Sequence, residues 1–305
     1  MKKIILLFSI ITLLSITVTT HARGYTETRY PIVLVHGISG FDNIGGLINY
    51  FHTVPFNLER SGAKVYVPSV SAFNSSEQRG QQLVGFLNQL PEEKFNLIGH
   101  SQGSPTIRVT AALVPQKVAS VTSVNGVNQG SPVADLVLGI LPEGNISRNV
   151  AGSIVNALGN LIALFSSGES EQDSIASAIA LSTQGTRQLN EQLDWKGVSQ
   201  NCRSISENVN INGNNIKMFS WTGRRALTNI FDISDVALGV TNLAFQGEDN
   251  DGLVSVCSAK LGKVIGVYST LNHVDAVNHL FGVRGWVNPV SLYRSHANRL
   301  RNRGL

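Results

Sequence analysis

The segment that most constrains this chain is Phe95 to Leu113, where an apolar stretch runs through Gly99-His100-Ser101-Gln102-Gly103 into a helix-prone one. Phe95-Asn96-Leu97-Ile98 reads as a buried strand, and Pro105 to Leu113 as a helix with proline near its start. The turn between them must be tight, and glycine at 99 and 103 removes side chains that would collide with neighbouring backbone. Such a turn lifts the Ser101 hydroxyl to the helix N-terminus, where the backbone dipole favours developing negative charge. The pentapeptide alone carries little weight in a chain with 29 glycines. Its setting between strand and helix is what makes Ser101 a candidate nucleophile.

The surrounding pattern agrees. Pro31-Ile32-Val33-Leu34-Val35 is an unbroken apolar, β-branched run that stops at His36-Gly37, as expected of a strand buried on both faces. Lys64 to Val67 reads as a second short strand. Glu77 to Leu90 follows with Leu83, Phe86, Leu87 and Leu90 on a helical spacing, ended by Pro91. Val118 to Val124 is another β-branched strand. This alternation is the grammar of a parallel α/β sheet.

The middle of the chain differs. Val133 to Phe165 is rich in Leu, Ile, Val, Ala and Gly with few charges, and two further helical stretches reach about Leu193. Strands return only with Lys217–Trp221 and Lys263–Tyr268. A helical insertion over about 130–165 sits where a lid would lie, the alternative being helices that pad the sheet. There is no internal repeat, linker or domain boundary, so residues 23–305 are expected to form one domain.

Residues 1–22 are set aside as an expected signal peptide: Lys2 and Lys3, then an apolar run to Val18, then Thr20-His21-Ala22 as a cleavage site. The formal charge is +4, and losing Lys2 and Lys3 leaves +2. The only basic cluster is Arg294, Arg299, Arg301 and Arg303, which reads as a solvated face rather than a nucleic-acid surface. Cys202 and Cys257 are the only two cysteines; in an exported chain they favour a disulfide and are too few for a zinc site.

A serine nucleophile needs a base, an acid and oxyanion donors. His273, His279 and His296 are the late histidines, and His273 hangs a short loop beyond the strand Lys263–Tyr268, where the base should lie. His36 comes too early and His100 is locked beside Ser101. Asp232, Asp235, Asp249 and Asp251 are the candidate acids, and pattern alone separates them weakly. The N–H of Gln102, after the nucleophile, and that of Ile38, after His36-Gly37, are the expected oxyanion donors.

With these residues in place, the chain resembles the Pseudomonas-type secreted true lipases of Gram-negative bacteria. The likeness is carried by Tyr30–Asp42, Asn96-Leu-Ile-Gly-His-Ser101, Asn250-Asp-Gly-Leu-Val254, Asn272-His-Val-Asp275 and Ser291–Leu300. It implies an α/β-hydrolase fold, with a mostly parallel central sheet, helices on both faces and a helical lid. It also implies hydrolysis of acylglycerol esters at an oil–water interface by Ser101, Asp251 and His273. A structural calcium ion is implied as well, held by Asp232, Asp275 and the carbonyls of His279 and Val283, an all-oxygen set that suits calcium. The same resemblance implies a Cys202–Cys257 disulfide, a dedicated periplasmic lipase chaperone and secretion through the periplasm. A monomer is expected. The chain departs from that family at Gln102-Gly103-Ser104 and at Asn128-Gln129-Gly130-Ser131, which puts substrate range in question more than reaction type. The rivals are an esterase or thioesterase of short soluble esters and a non-catalytic binding protein of the same fold.

Overall fold

Apolar runs that alternate with amphipathic ones leave the chain one economical arrangement, a sheet buried between helices. The computed structural model describes residues 24–38, 50–140, 146–165 and 173–305. The expected leader and residues 141–145 of the expected lid segment lie outside them. In chain order the elements are β1 (Ile32–Val35), α1 (Val54–Glu59), β2 (Val65–Tyr66), α2 (Ser76–Asn88), β3 (Phe95–His100), α3 (Gly103–Leu113), β4 (Val118–Val124) and α4 (Pro132–Val137). There follow α5 (Arg148–Phe165), α6 (Ser174–Leu181), α7 (Thr183–Gln192), β5 (Asn208–Ile211), β6 (Asn214–Gly223), α8 (Ile233–Thr241), β7 (Lys263–Tyr268) and α9 (Pro289–Arg301).

The strands form one sheet in the order β2-β1-β3-β4-β6-β5, with β7 also on β6. Every pair is parallel except β5–β6. Successive strand residues face opposite sides, so β1 feeds two cores at once. Val33 and Val35 pack with Leu83 and Leu87 of α2 and Ile107 of α3. Ile32 and Leu34 pack with Leu58 of α1 and Tyr293 and Ala297 of α9. Each large apolar side chain buried this way contributes about 1.5–3 kcal/mol.

Several boundaries differ by a few residues from those the sequence predicts. Helix α2 ends at Asn88, ahead of Pro91, and α3 starts at Gly103, inside the pentapeptide. The sheet also gains β5, which forms an antiparallel hairpin with a longer β6. Asparagine-rich β5 lacks strand propensity. Its turn, Asn212-Gly213, supplies the positive φ values (49° and 83°) that a two-residue hairpin requires.

Parallel strands end at one edge of a sheet, and loops beyond that edge are where such folds assemble sites. Here β1 delivers His36-Gly37-Ile38, β3 delivers Ser101, β4 delivers Asn125, and the loop after β7 delivers His273. The expected disulfide is formed, Cys202 to Cys257, with Cα atoms 4.9 Å apart. Among the described residues no helix is long and apolar enough to cross a membrane.

Candidate active site

Ser101 has φ 56°, a left-handed conformation that disfavours any residue with a side chain by about 1–2 kcal/mol. Close approach of three backbone segments maintains it. A Cβ at Gly99 would lie 2.3 Å from the Gly103 carbonyl oxygen, and one at Gly103 would lie 2.2 Å from that of Val35. A Cβ at Gly37 would stand 2.7 Å from Ser101 Cβ and 3.1 Å from its Oγ. Thus the first loop of the sheet presses directly on the serine.

Ser101 and His273 line one cavity, whose other walls include Ile38, Tyr50, Leu158 and Leu161. A second, adjoining cavity leads from Ser101 between Val133, Val137, Leu158, Ile162 and Leu181. The second is bounded chiefly by side chains of the middle helices, and the first shares Leu158 and Ile162 of α5 with it.

Of the four candidate acids, the structure brings only Asp251 to His273. His273 Nδ1 donates to Asp251 Oδ2 at 2.9 Å, which leaves Nε2 as the nitrogen free to act as a base. Asp251 is fully buried and its carboxylate is saturated. Oδ2 also accepts from Asn125 Nδ2 at 2.7 Å, while Oδ1 accepts from the backbone N–H groups of Leu253 and Val254. Asp235 instead accepts from Asn272 Nδ2 and from the N–H groups of Thr228 and Asn229. Asp249 is half-exposed and pairs with Arg224 at 2.9 Å. The rival His296 lies beneath the sheet, hydrogen-bonded to Thr122 Oγ1 and packed on Trp221.

His100 holds His273 in place through its backbone carbonyl. Its Nε2 is 2.9 Å from the His273 carbonyl oxygen and its Nδ1 is 2.7 Å from the Tyr50 hydroxyl. A carbonyl only accepts, so Nε2 carries the proton and Tyr50 donates to Nδ1. Burial, then the proximity of the His273 imidazole, push the His100 pKa well down, and the ring stays neutral.

The two expected oxyanion donors sit on segments joined by Arg79, a residue the sequence reading did not single out. Arg79 lies on α2 and is fully buried. Its Nη1 donates to the Gly37 carbonyl (3.1 Å) and to Gln102 Oε1 (3.1 Å), and its Nη2 donates to the His36 carbonyl (2.5 Å). The Gln102 amide nitrogen then donates to the Asn74 carbonyl at 2.7 Å. Among the described residues, neither the Ile38 nor the Gln102 backbone N–H donates to another group. Burial lowers the Arg79 pKa to about 9, so it remains a cation at neutral pH. Together with burial, that charge pushes the His36 imidazole down to about 3.

The residues expected to hold calcium lie behind the His273 loop. Asp232 caps α8 through Oδ1, which accepts from Ser234 N at 2.8 Å and Ser234 Oγ at 2.7 Å. Asp275 Oδ2 accepts from Thr228 Oγ1 at 2.7 Å and from the N–H groups of Asn272 and Gly285. Each acid leaves its other oxygen, Asp232 Oδ2 and Asp275 Oδ1, buried without a hydrogen-bond partner. Desolvation raises both pKa values, that of Asp275 to about 6, and the two carboxylates repel one another. His279 and Val283 follow on a tight curl in which Asn278, Phe281 and Gly282 all have positive φ. Among the described residues no group of three or more His, Cys, Asp or Glu side chains could hold a metal. The expected set has only two acid side chains, so it would not form such a group.

Comparison with known proteins places this geometry. A family described as alpha/beta hydrolase fold matches residues 30–276. The chain is 48% identical over 290 residues to a triacylglycerol lipase of Vibrio cholerae, covering 93% of this chain and 91% of that protein. It is 39% identical over 300 residues to a triacylglycerol lipase of Pseudomonas fragi, covering 92% and 98%. The solved structure of EstA from Clostridium botulinum shares the fold, with a TM-score of 0.60 at 19% identity over 93% of this chain and 89% of that one. The chain therefore belongs to the alpha/beta hydrolase family, within the bacterial lipases that these Vibrio and Pseudomonas relatives represent.

Proposed function

We propose that this protein is a triacylglycerol lipase that hydrolyses long-chain acylglycerol esters at a lipid–water interface, with Ser101, His273 and Asp251 as its catalytic triad. The observation that carries the reading is the buried Asp251–His273 hydrogen bond beside an apolar cavity shared with Ser101. In the reaction, Ser101 Oγ attacks the ester carbonyl carbon while His273 Nε2 takes its proton. The carbonyl oxygen becomes an oxyanion facing the N–H groups of Ile38 and Gln102. Collapse expels the alcohol, which receives the proton from His273, and leaves an acyl-enzyme. Water, deprotonated by the same nitrogen, then releases the fatty acid. Asp251 fixes the imidazole tautomer and stabilises its protonated form.

The middle helices favour a lipase over an esterase of soluble substrates. Helix α5 carries a single charge, Arg148, in 18 residues and sets Leu158, Leu161 and Ile162 against the Ser101 cavity. The expected result is a steep rise in rate as one ester passes its solubility limit, with preference for emulsified long-chain substrate. A flat response across that limit would replace the lipase reading with an esterase.

The same proposal includes a structural calcium ion on Asp232, Asp275 and the His279 and Val283 carbonyls. The two unpartnered buried carboxylate oxygens support it, because a divalent cation would satisfy both and end their repulsion. The ion would hold the His273 loop and take no part in bond making. With calcium at a hundred times its Kd, chelation should remove about 2.7 kcal/mol of stability. That loss lowers Tm by about 5 °C or more, restored by calcium and not by magnesium. An unchanged Tm in excess chelator would remove the ion from the account. Secretion through the periplasm is supported by the Cys202–Cys257 bridge, which belongs to oxidising compartments. Help from a dedicated lipase chaperone there rests on the family resemblance.

A further inference from the structure

Around the segments that bear Asp232 and Asp275, large apolar side chains stand in water. Ile230 is 92% exposed, Phe231 84% and Trp286 91%. Burial of such groups is ordinarily favourable by about 1.5–3 kcal/mol each, so a cluster of them marks a contact surface.

The cluster is continuous. Asn229 Nδ2 donates to the Arg284 carbonyl at 2.9 Å, and a Cβ at Gly285 would lie 3.0 Å from Thr228 Cβ. The Ile230-Phe231 tip and Trp286 therefore project from abutting loops. Their bases are rigid: Asp235 accepts from the N–H groups of Thr228 and Asn229, and Thr228 Oγ1 donates to Asp275. A tip held this firmly loses little conformational freedom on docking.

Apolar surface also runs from this cluster toward the site. Ile233 and Val236 of α8 form a groove with Ala157 and Leu164 of α5, and no charged side chain lines it. The same α5 presents Leu158 and Ile162 to the Ser101 cavity. Asp232 and Asp235, the acids of this stretch, are buried, while Arg225 is exposed on one flank and Arg284 borders the other.

We propose that the loop Leu227–Ile233 and Trp286 form a docking surface for a lipid–water interface. This inference rests on the lipase reading. Tryptophan and phenylalanine on rigid loops suit an interface that is apolar at depth and wet at its edge. Arginines flanking an apolar tip without exposed carboxylates suit an interface charged by fatty-acid carboxylates. Docking there would bring the α5–α8 groove onto the lipid, beside the helix that also lines the Ser101 cavity.

The test uses phosphatidylcholine vesicles, with and without oleate, and the full chain carrying Ser101→Ala so that no lipid is consumed. Adding Ile230→Ser with Phe231→Ser, or separately Trp286→Ser, should weaken vesicle binding at least tenfold, and oleate should strengthen binding of the parent. In the active protein the same substitutions should lower the rate on emulsified triacylglycerol while leaving Tm and hydrolysis of a dissolved short ester unchanged. Undiminished vesicle binding by both variants would overturn the proposal. So would loss of a dimer, seen by sedimentation, with vesicle binding intact, since that outcome assigns the surface to a second copy. Failure of the lipase reading would look different: the unaltered protein would cleave dissolved esters and show no gain on emulsions.

Discussion

Ser101→Ala is expected to reduce kcat for ester hydrolysis by about 10⁴- to 10⁶-fold with little change in Tm. The side chain is small, its cavity side is open, and its backbone bonds to Val124, Ser104 and Val127 survive the change. Asp251→Asn should cost about 10⁴-fold for a different reason. Four donors converge on the Asp251 carboxylate, two at each oxygen. An amide supplies one oxygen and one NH₂, so two of those donors must face another donor. If the NH₂ takes the Oδ2 position, His273 reverses its tautomer and presents N–H to Ser101, and base catalysis stops. If it takes the Oδ1 position, the turn at Leu253 and Val254 is broken. Steady-state kinetics on a dissolved ester separate the outcomes. Loss confined to kcat supports the assigned roles, and an Asp251→Asn enzyme of near-normal rate refutes them.

Gly103→Ala is expected to be destabilising by about 3 kcal/mol or more, and nearly inactive in whatever fraction folds. The added carbon would lie 2.2 Å from the Val35 carbonyl oxygen and 2.9 Å from that of His36. Both obstacles are backbone of the strand end that leads to Ile38, so relief requires moving β1 away from α3. That movement would separate the Ile38 N–H from Ser101 and disturb the Arg79 bonds to His36 and Gly37. Denaturant unfolding measures the stability loss, and an alanine variant as stable as the parent would mean that the elbow is looser than described.

Much of this was legible in the sequence because it rests on local pattern. Buried strands announce themselves as apolar runs, so β1, β3 and β4 and the strand–turn–helix around Ser101 were read nearly to the residue. His273 was legible from its place after β7. Arg79 was not, since it sits in Ser76-Glu77-Gln78-Arg79, which reads as a solvated first turn of a helix. Its burial is decided by carbonyls of His36 and Gly37 that only the fold brings near. Asp251 and Asp235 present the same difficulty. Both are buried carboxylates, Asp251 in a turn and Asp235 in the first turn of α8, and what divides them is that the Asp251 carboxylate meets His273 while Asp235 meets Asn272. The β5 hairpin carried a signal, Asn212-Gly213, masked by the polar composition of its strand. The exposure of Ile230, Phe231 and Trp286 has no counterpart in sequence pattern, because an apolar residue in a loop is by default counted as core.

Ser101 is expected to become covalently acylated from the apolar cavity beside it. Treating the folded protein with a long-chain alkyl phosphonate ester and mapping the adduct by peptide mass spectrometry tests this most directly. The expected result is one phosphonyl group per chain, on the peptide containing Ser101, and none in Ser101→Ala. No adduct on folded protein, or an adduct that persists in Ser101→Ala, would contradict it.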